Sequence, residues 1–122
     1  MDRDMDAVRK IMIAVRTAGD EYISSVEDIP DDVFKFNAML LIEAELVVGT
    51  IFPNNRTSST LPSKVLISRL TWKGCEFACS IKDEAIWEKT KKHILNPASA
   101  WTFEILKEYL KQELKEKLGL NV

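Results

Sequence analysis

The chain of 122 residues has one histidine, two cysteines, four glycines and four prolines. Each scarcity excludes something. A single histidine, His93, leaves any nucleophile–histidine–acid triad with one choice. It sits in Lys91-Lys92-His93 on a charged helical stretch, where a solvated surface histidine is expected. One His and two Cys cannot complete a four-ligand zinc site without carboxylates. Cys75 and Cys79 lack the C-x-x-C spacing of redox sites, and the habit of free cysteine predicts two small buried apolar side chains. Few glycines and prolines exclude a low-complexity chain. No apolar run approaches the roughly 20 residues that cross a bilayer. No nucleophile elbow, phosphate loop, dinucleotide fingerprint or zinc-protease helix motif occurs. These absences predict no catalytic residue, cofactor, metal, small-molecule substrate or membrane partner. With three acids among the first six residues, they also predict a cytoplasmic protein without a signal peptide.

What is present is an ordinary globular balance, with 46% hydrophobic and 30% charged residues. The length fits one domain spanning 1–122. The net charge is −2, which argues against a protein that lives on phosphate contacts. That charge is uneven. Residues 1–62 carry 6 basic and 11 acidic groups, net −5, and residues 63–122 carry 11 basic and 8 acidic groups, net +3.

Hydrophobic period places the elements. Met5, Val8, Ile11, Met12 and Val15 recur at helical spacing and predict a helix from about Asp4 to Ala18, stopped by Gly19. Glu21 to Ser24 reads as a short strand. Pro30-Asp31-Asp32 opens a second helix whose buried face is expected to be Val33, Phe36, Leu40, Leu41 and Ala44. The period then changes to β-branched runs, Leu46–Phe52 and Lys64–Leu70, joined by the polar stretch Pro53–Pro62. This is an antiparallel hairpin with a long tip. Thr71 is an N-cap for a helix from Trp72 to about Ile81. A further stretch, Ala85 to Leu95, is either a separate helix or the second half of a kinked one. Asn96-Pro97 restarts the chain as a final helix from about Ala98 to Leu118, with Phe103, Leu106, Leu110 and Leu114 as its seam. Helix, short strand, helix, hairpin, helix is the outline of an α+β winged-helix-like core over 1–71, with a helical extension over 72–122.

Two passages carry a resemblance. Leu40-Leu41-Ile42-Glu43-Ala44-Glu45-Leu46-Val47 is similar to the passage from recognition helix to wing, and Leu70-Thr71-Trp72-Lys73-Gly74-Cys75-Glu76-Phe77 to the wing exit. Arg3-Asp4-Met5-Asp6, Arg9-Lys10-Ile11 and the run Arg69 to Lys92, with Trp87 in register, resemble an uncharacterised bacterial family common in phages and prophages. The resemblance implies a domain of unknown function. Glu45 stands where that family usually has Gly, which argues against a tight helix C-cap. Cys75 replaces its usual His, so any role of that His is absent.

Binding rather than catalysis is therefore expected, by one of two routes. A protein-interaction or dimerising adaptor is expected to use the C-terminal helix, with Trp101, Ile105 and Tyr109 as its interface and a homodimer as one outcome. Trp72, Trp87 and Trp101 are expected as core or interface anchors. The alternative is a DNA-binding regulator that contacts the phosphate backbone through Asn54, Asn55, Arg56 and Lys64 of the wing. The acids of the second helix, Asp31, Asp32, Glu43 and Glu45 against Lys35, oppose entry of that helix into a groove.

Overall fold

A computed structural model describes residues 1–55, 60–96 and 100–119. The chain is mixed α+β. Its elements are α1 (Met5–Ala18), α2 (Asp31–Glu43), β1 (Val47–Phe52), β2 (Lys64–Leu70), α3 (Trp72–Ile81), α4 (Glu84–His93) and α5 (Phe103–Lys117). They fall into two compact units, Met1–Ala78 and Cys79–Val122, each described by itself. The division lies inside α3. No helix among the described residues is long and apolar enough to cross a membrane.

In the first unit, Asp4 caps α1 by accepting a hydrogen bond from the Ala7 amide at 3.1 Å. Of the expected face of α1, Val8, Ile11, Met12 and Val15 are buried, joined by Ala7, and Met5 is half-buried. Of the expected face of α2, only Leu41 is buried. Phe34, Asn37, Ala38 and Leu41 are buried, whereas Val33, Phe36 and Leu40 are half-buried and Ala44 is exposed. Val33 to Ile42 is apolar almost all round, so its period fits two faces, and packing against α1 and the hairpin selects one. Asn37 fits the buried side because both of its side-chain polar atoms have partners. Its Oδ1 accepts from the Asp4 amide at 2.9 Å, and its Nδ2 donates to the Val33 carbonyl at 2.8 Å.

The second helix ends in a tight cap despite Glu45. The Glu45 amide donates to the Ile42 carbonyl and the Leu46 amide to the Leu41 carbonyl, both at 3.0 Å, the double bond of a Schellman motif. Glu45 takes a φ of 60° to make it. The left-handed conformation costs an L-residue of this kind roughly 1–2 kcal/mol, and glycine is free of that penalty. Glu45→Gly is therefore expected to stabilise the protein by about 1 kcal/mol, the gain being trimmed by glycine's larger unfolded-state entropy. An unchanged or lowered urea midpoint would contradict this account.

The hairpin β1–β2 is antiparallel, and its other neighbour is a single bridge rather than a strand. Ile23 and Ile67 exchange both amide–carbonyl bonds at 2.9 Å, which reduces the expected strand Glu21–Ser24 to one residue. In α3, Gly74, Phe77, Ala78 and Ile81 take the buried side. Cys75 and Cys79, one turn apart, fall on the opposite side and are exposed free thiols, not the buried pair expected. The larger apolar side chains Phe77 and Ile81 occupy the inner face of this short helix.

In the second unit, Asp83 starts α4 by accepting from the Ile86 amide at 2.9 Å, so α3 and α4 are two helices separated at Lys82-Asp83. Ile86, Trp87 and Thr90 are buried on α4, and Leu106 and Leu110 on α5. The final helix starts at Phe103, well after the expected Ala98, because Thr102 is its cap. The Thr102 hydroxyl accepts from the Ile105 amide at 3.2 Å. Pro97, Ala98 and Ser99 lie outside the described residues.

Candidate interaction surface

The hairpin sits on the core through alternate residues. Val47 is buried on β1, and Val65 and Ile67 on β2. Strict alternation would put Arg69 on that same inner face with Val65 and Ile67. It does not, because the register slips between Val48 and Gly49. Val48 pairs with Arg69 while Gly49 pairs with Ile67, and Ser68 is the extra residue of a β-bulge. The Ser68 hydroxyl donates to the Val48 carbonyl at 3.0 Å across the bulge. Gly49 is required on the partner strand, since a Cβ there would overlap the Leu66 carbonyl oxygen.

The bulge turns Arg69 outward. The outer face of the hairpin then consists of cross-strand pairs: Val48 with Arg69, Thr50 with Leu66, and Phe52 with Lys64. Residues directly opposite share a face. Val48 is 39% and Phe52 40% exposed, and Arg69 and Lys64 are exposed. A cation thus stands beside an apolar side chain at each end of the face.

The base of the hairpin joins β1, β2 and the start of α3. The Thr71 amide donates to the Leu46 carbonyl at 3.1 Å, and its hydroxyl donates to the Glu45 carbonyl at 2.7 Å. The same hydroxyl oxygen accepts from the Gly74 amide at 2.9 Å, which is the expected cap. This junction presents Trp72 as the first residue of α3 with 84% of its surface exposed, not as the anchor of a core. Its indole is held in place, since Nε1 donates to Glu76 Oε1 at 2.7 Å.

Charge sharpens the picture. From Leu46 to Cys75 the sequence contains Arg56, Lys64, Arg69 and Lys73 and not one acid. Residues 1–45 carry 5 basic and 11 acidic groups. On α2 the one cation, Lys35, is paired with Asp31 at 2.8 Å, and Asp31 and Asp32 are exposed.

Of the residues expected to meet DNA, Asn54 and Asn55 follow β1 at the tip end and Lys64 lies opposite Phe52. Arg56 lies outside the described residues. Sequence reasoning passed over Arg69, Val48 and Phe52 as surface groups, and left Trp72 open between a core and an interface anchor. The one signal for Arg69 is a break of parity, a charged residue two places after the apolar pair Val65 and Ile67.

The residues expected at a C-terminal interface belong to the second unit. Ile105 is 47% exposed, and Tyr109, one turn along α5, is half-buried. Trp101, half-buried, precedes the cap Thr102 outside the helix. Tyr109 stacks on the exposed His93 of α4 with ring centroids 6.4 Å apart. Burial, and then the neighbouring Glu113 carboxylate, hold the Tyr109 hydroxyl above its ordinary pKa. Two ion pairs cross from α4 and its cap to α5, Lys89 with Glu113 at 3.0 Å and Asp83 with Lys117. The hydrogen bond from Lys89 to Glu113 and the charge of that carboxylate raise the lysine's pKa. The apolar seam Leu106–Leu110 is thus buried, and the outward side of α5 is engaged with α4 at its charged end. Among the described residues no group of three or more His, Cys, Asp or Glu is placed to hold a metal.

The profile of the family described as Hypothetical protein (DUF2513) matches residues 2–100. The chain belongs to this family, a domain of unknown function. No curated protein and no solved structure gives a significant match.

Proposed function

We propose that this chain is a non-catalytic, winged-helix-like adaptor of the kind carried by phages and prophages, acting in the cytoplasm by binding another protein. The order α1, α2, hairpin, with Ile23 bridged to β2, supports the winged-helix-like reading, with α2 in the place of a recognition helix and the hairpin as its wing. The observation that carries the choice of partner is Trp72. A largely exposed, oriented tryptophan is a feature of protein interfaces, where Trp and Arg supply most of the binding energy. Val48 and Phe52 extend the apolar surface on the hairpin. A phosphate backbone gains little from covering them, and the exposed acids at the start of α2 repel it.

The homodimer reading of the C-terminal helix has less support, because Leu106 and Leu110 are buried already and leave Ile105 and Leu118 as its exposed large apolar residues. Light scattering of the full chain is expected to give the mass of one chain. Electrophoretic mobility shifts with random and prophage DNA across a salt series are expected to show no retardation, even at low salt. Retardation that weakens steeply with salt would overturn the protein reading and return the wing to DNA.

A further inference from the structure

We propose that the outer face of the hairpin, with Trp72 at its base, docks a short acidic segment of the partner that also carries apolar side chains. The inference rests on the adaptor reading and names the chemistry of its partner. Three observations converge on it. The β-bulge at Ser68 brings Arg69 out of the inner register and sets it beside Val48. Bulges commonly re-aim a side chain beside a functional site, and here the re-aimed group is the residue best suited to bind carboxylates. At the other end of the face, Lys64 stands opposite Phe52. The whole stretch from Leu46 to Cys75 is free of acids in a chain that has 19 of them, so no carboxylate on the hairpin itself competes for these cations, and Arg69 Nη1 donates only to the neutral Leu70 carbonyl, at 3.1 Å. Glu76, the first acid after the stretch, is bonded to the Trp72 indole.

The spacing defines the occupant. Each cation lies directly across from an exposed apolar side chain, so a ligand must offer carboxylates and apolar groups together. Polyglutamate matches the charge and leaves Val48, Phe52 and Trp72 uncovered. A neutral apolar peptide covers them and leaves Arg69 and Lys64 without partners. A phosphate backbone resembles the first case.

Selection from a displayed library of random short peptides on the full chain tests this. The expected winners combine Asp or Glu with Leu, Ile, Phe or Trp. Synthetic copies, followed by fluorescence anisotropy, are expected to lose about tenfold in affinity to Arg69→Glu and about tenfold to Trp72→Ala. They are also expected to weaken with added salt. Both substituted side chains are exposed, so the thermal midpoint should stay within a degree or two of the parent, as is usual for surface substitutions. Winners without an acidic excess, or indifferent to Arg69→Glu, would overturn the acidic-segment proposal and leave the adaptor reading standing. Failure to select any peptide, with retardation of DNA duplexes by the same preparation, would overturn both. Binding of polyglutamate as tight as that of the winners would remove the apolar half of the proposal.

Discussion

Gly74→Ala is expected to destabilise the protein by about 3 kcal/mol or more, at the upper end of what forced overpacking costs. A Cβ on Gly74 would overlap the Leu46 carbonyl oxygen. That oxygen cannot retreat cheaply, because it accepts the Thr71 amide, while Thr71 also bonds the Glu45 carbonyl and caps α3. The junction fixes the end of α2, the start of β1 and the start of α3 at once. Any relief therefore moves three elements or breaks a cap. For a chain of this size the loss corresponds to a drop in thermal midpoint of about 10 °C or more. Gly19→Ala is the informative control. Gly19 has a φ of 70° and a ψ of −120°, a backbone shape that suits glycine, with open space where a Cβ would go, so only conformational strain of about 1–3 kcal/mol applies. Equal effects at the two positions would show that the close approach at Gly74 is not what holds the junction.

The second large effect separates two neighbouring phenylalanines. Phe34→Ala is expected to cost about 3–5 kcal/mol, the range for emptying a fully buried aromatic site. Phe36→Ala, at a half-buried position two residues on, is expected to cost under about 1.5 kcal/mol, in proportion to the smaller area returned to water. Urea unfolding of both variants measures the difference directly. The reverse order would mean that α2 presents Val33, Phe36 and Leu40 to the core, the other of the two faces its period fits.

These two helix positions show where sequence reading reaches its limit. On α1 the apolar stripe is narrow, with Arg9, Lys10 and Arg16 elsewhere, so one face fits the core and that face is buried. On α2 the apolar residues surround the helix, and two faces fit equally well. The buried Asn37 is a poor core residue by type. Its place depends on the Asp4 amide, 33 residues away in sequence, and no local pattern contains that bond. The same holds for Glu45. A glutamate is an unfavourable left-handed residue, yet the Schellman bonds and the Thr71 hydroxyl on its carbonyl outweigh the local preference.

The candidate surface divides in the same way. Lys64 and the hairpin tip were legible from β-branched runs flanking a polar loop. Arg69 was not, since its outward direction arises from a register slip, and register is a property of two strands and not of one. Trp72 read as either a core or an interface anchor, since tryptophan serves as both. Its exposure follows from Thr71, whose cap sets the start and rotation of α3 so that Gly74, Phe77, Ala78 and Ile81 face inward.

The scarcity of histidine and cysteine is legible from the sequence alone. One histidine and two cysteines are too few to complete a four-ligand Cys/His zinc site without carboxylates. The periods of the apolar residues placed the helices and the hairpin, with α3 and α4 left open as two helices or one kinked one, and Thr71 was legible as the cap of α3. These are local properties, set by side-chain chemistry within one turn or one strand. The tertiary structure alone decided which face of α2 is inside, that both cysteines are outside, and that Arg69 and Trp72 stand on the surface with Val48 and Phe52. Each of those outcomes depends on atoms far apart in the chain competing for the same core volume or the same backbone hydrogen bonds, and that competition is resolved only when the chain folds.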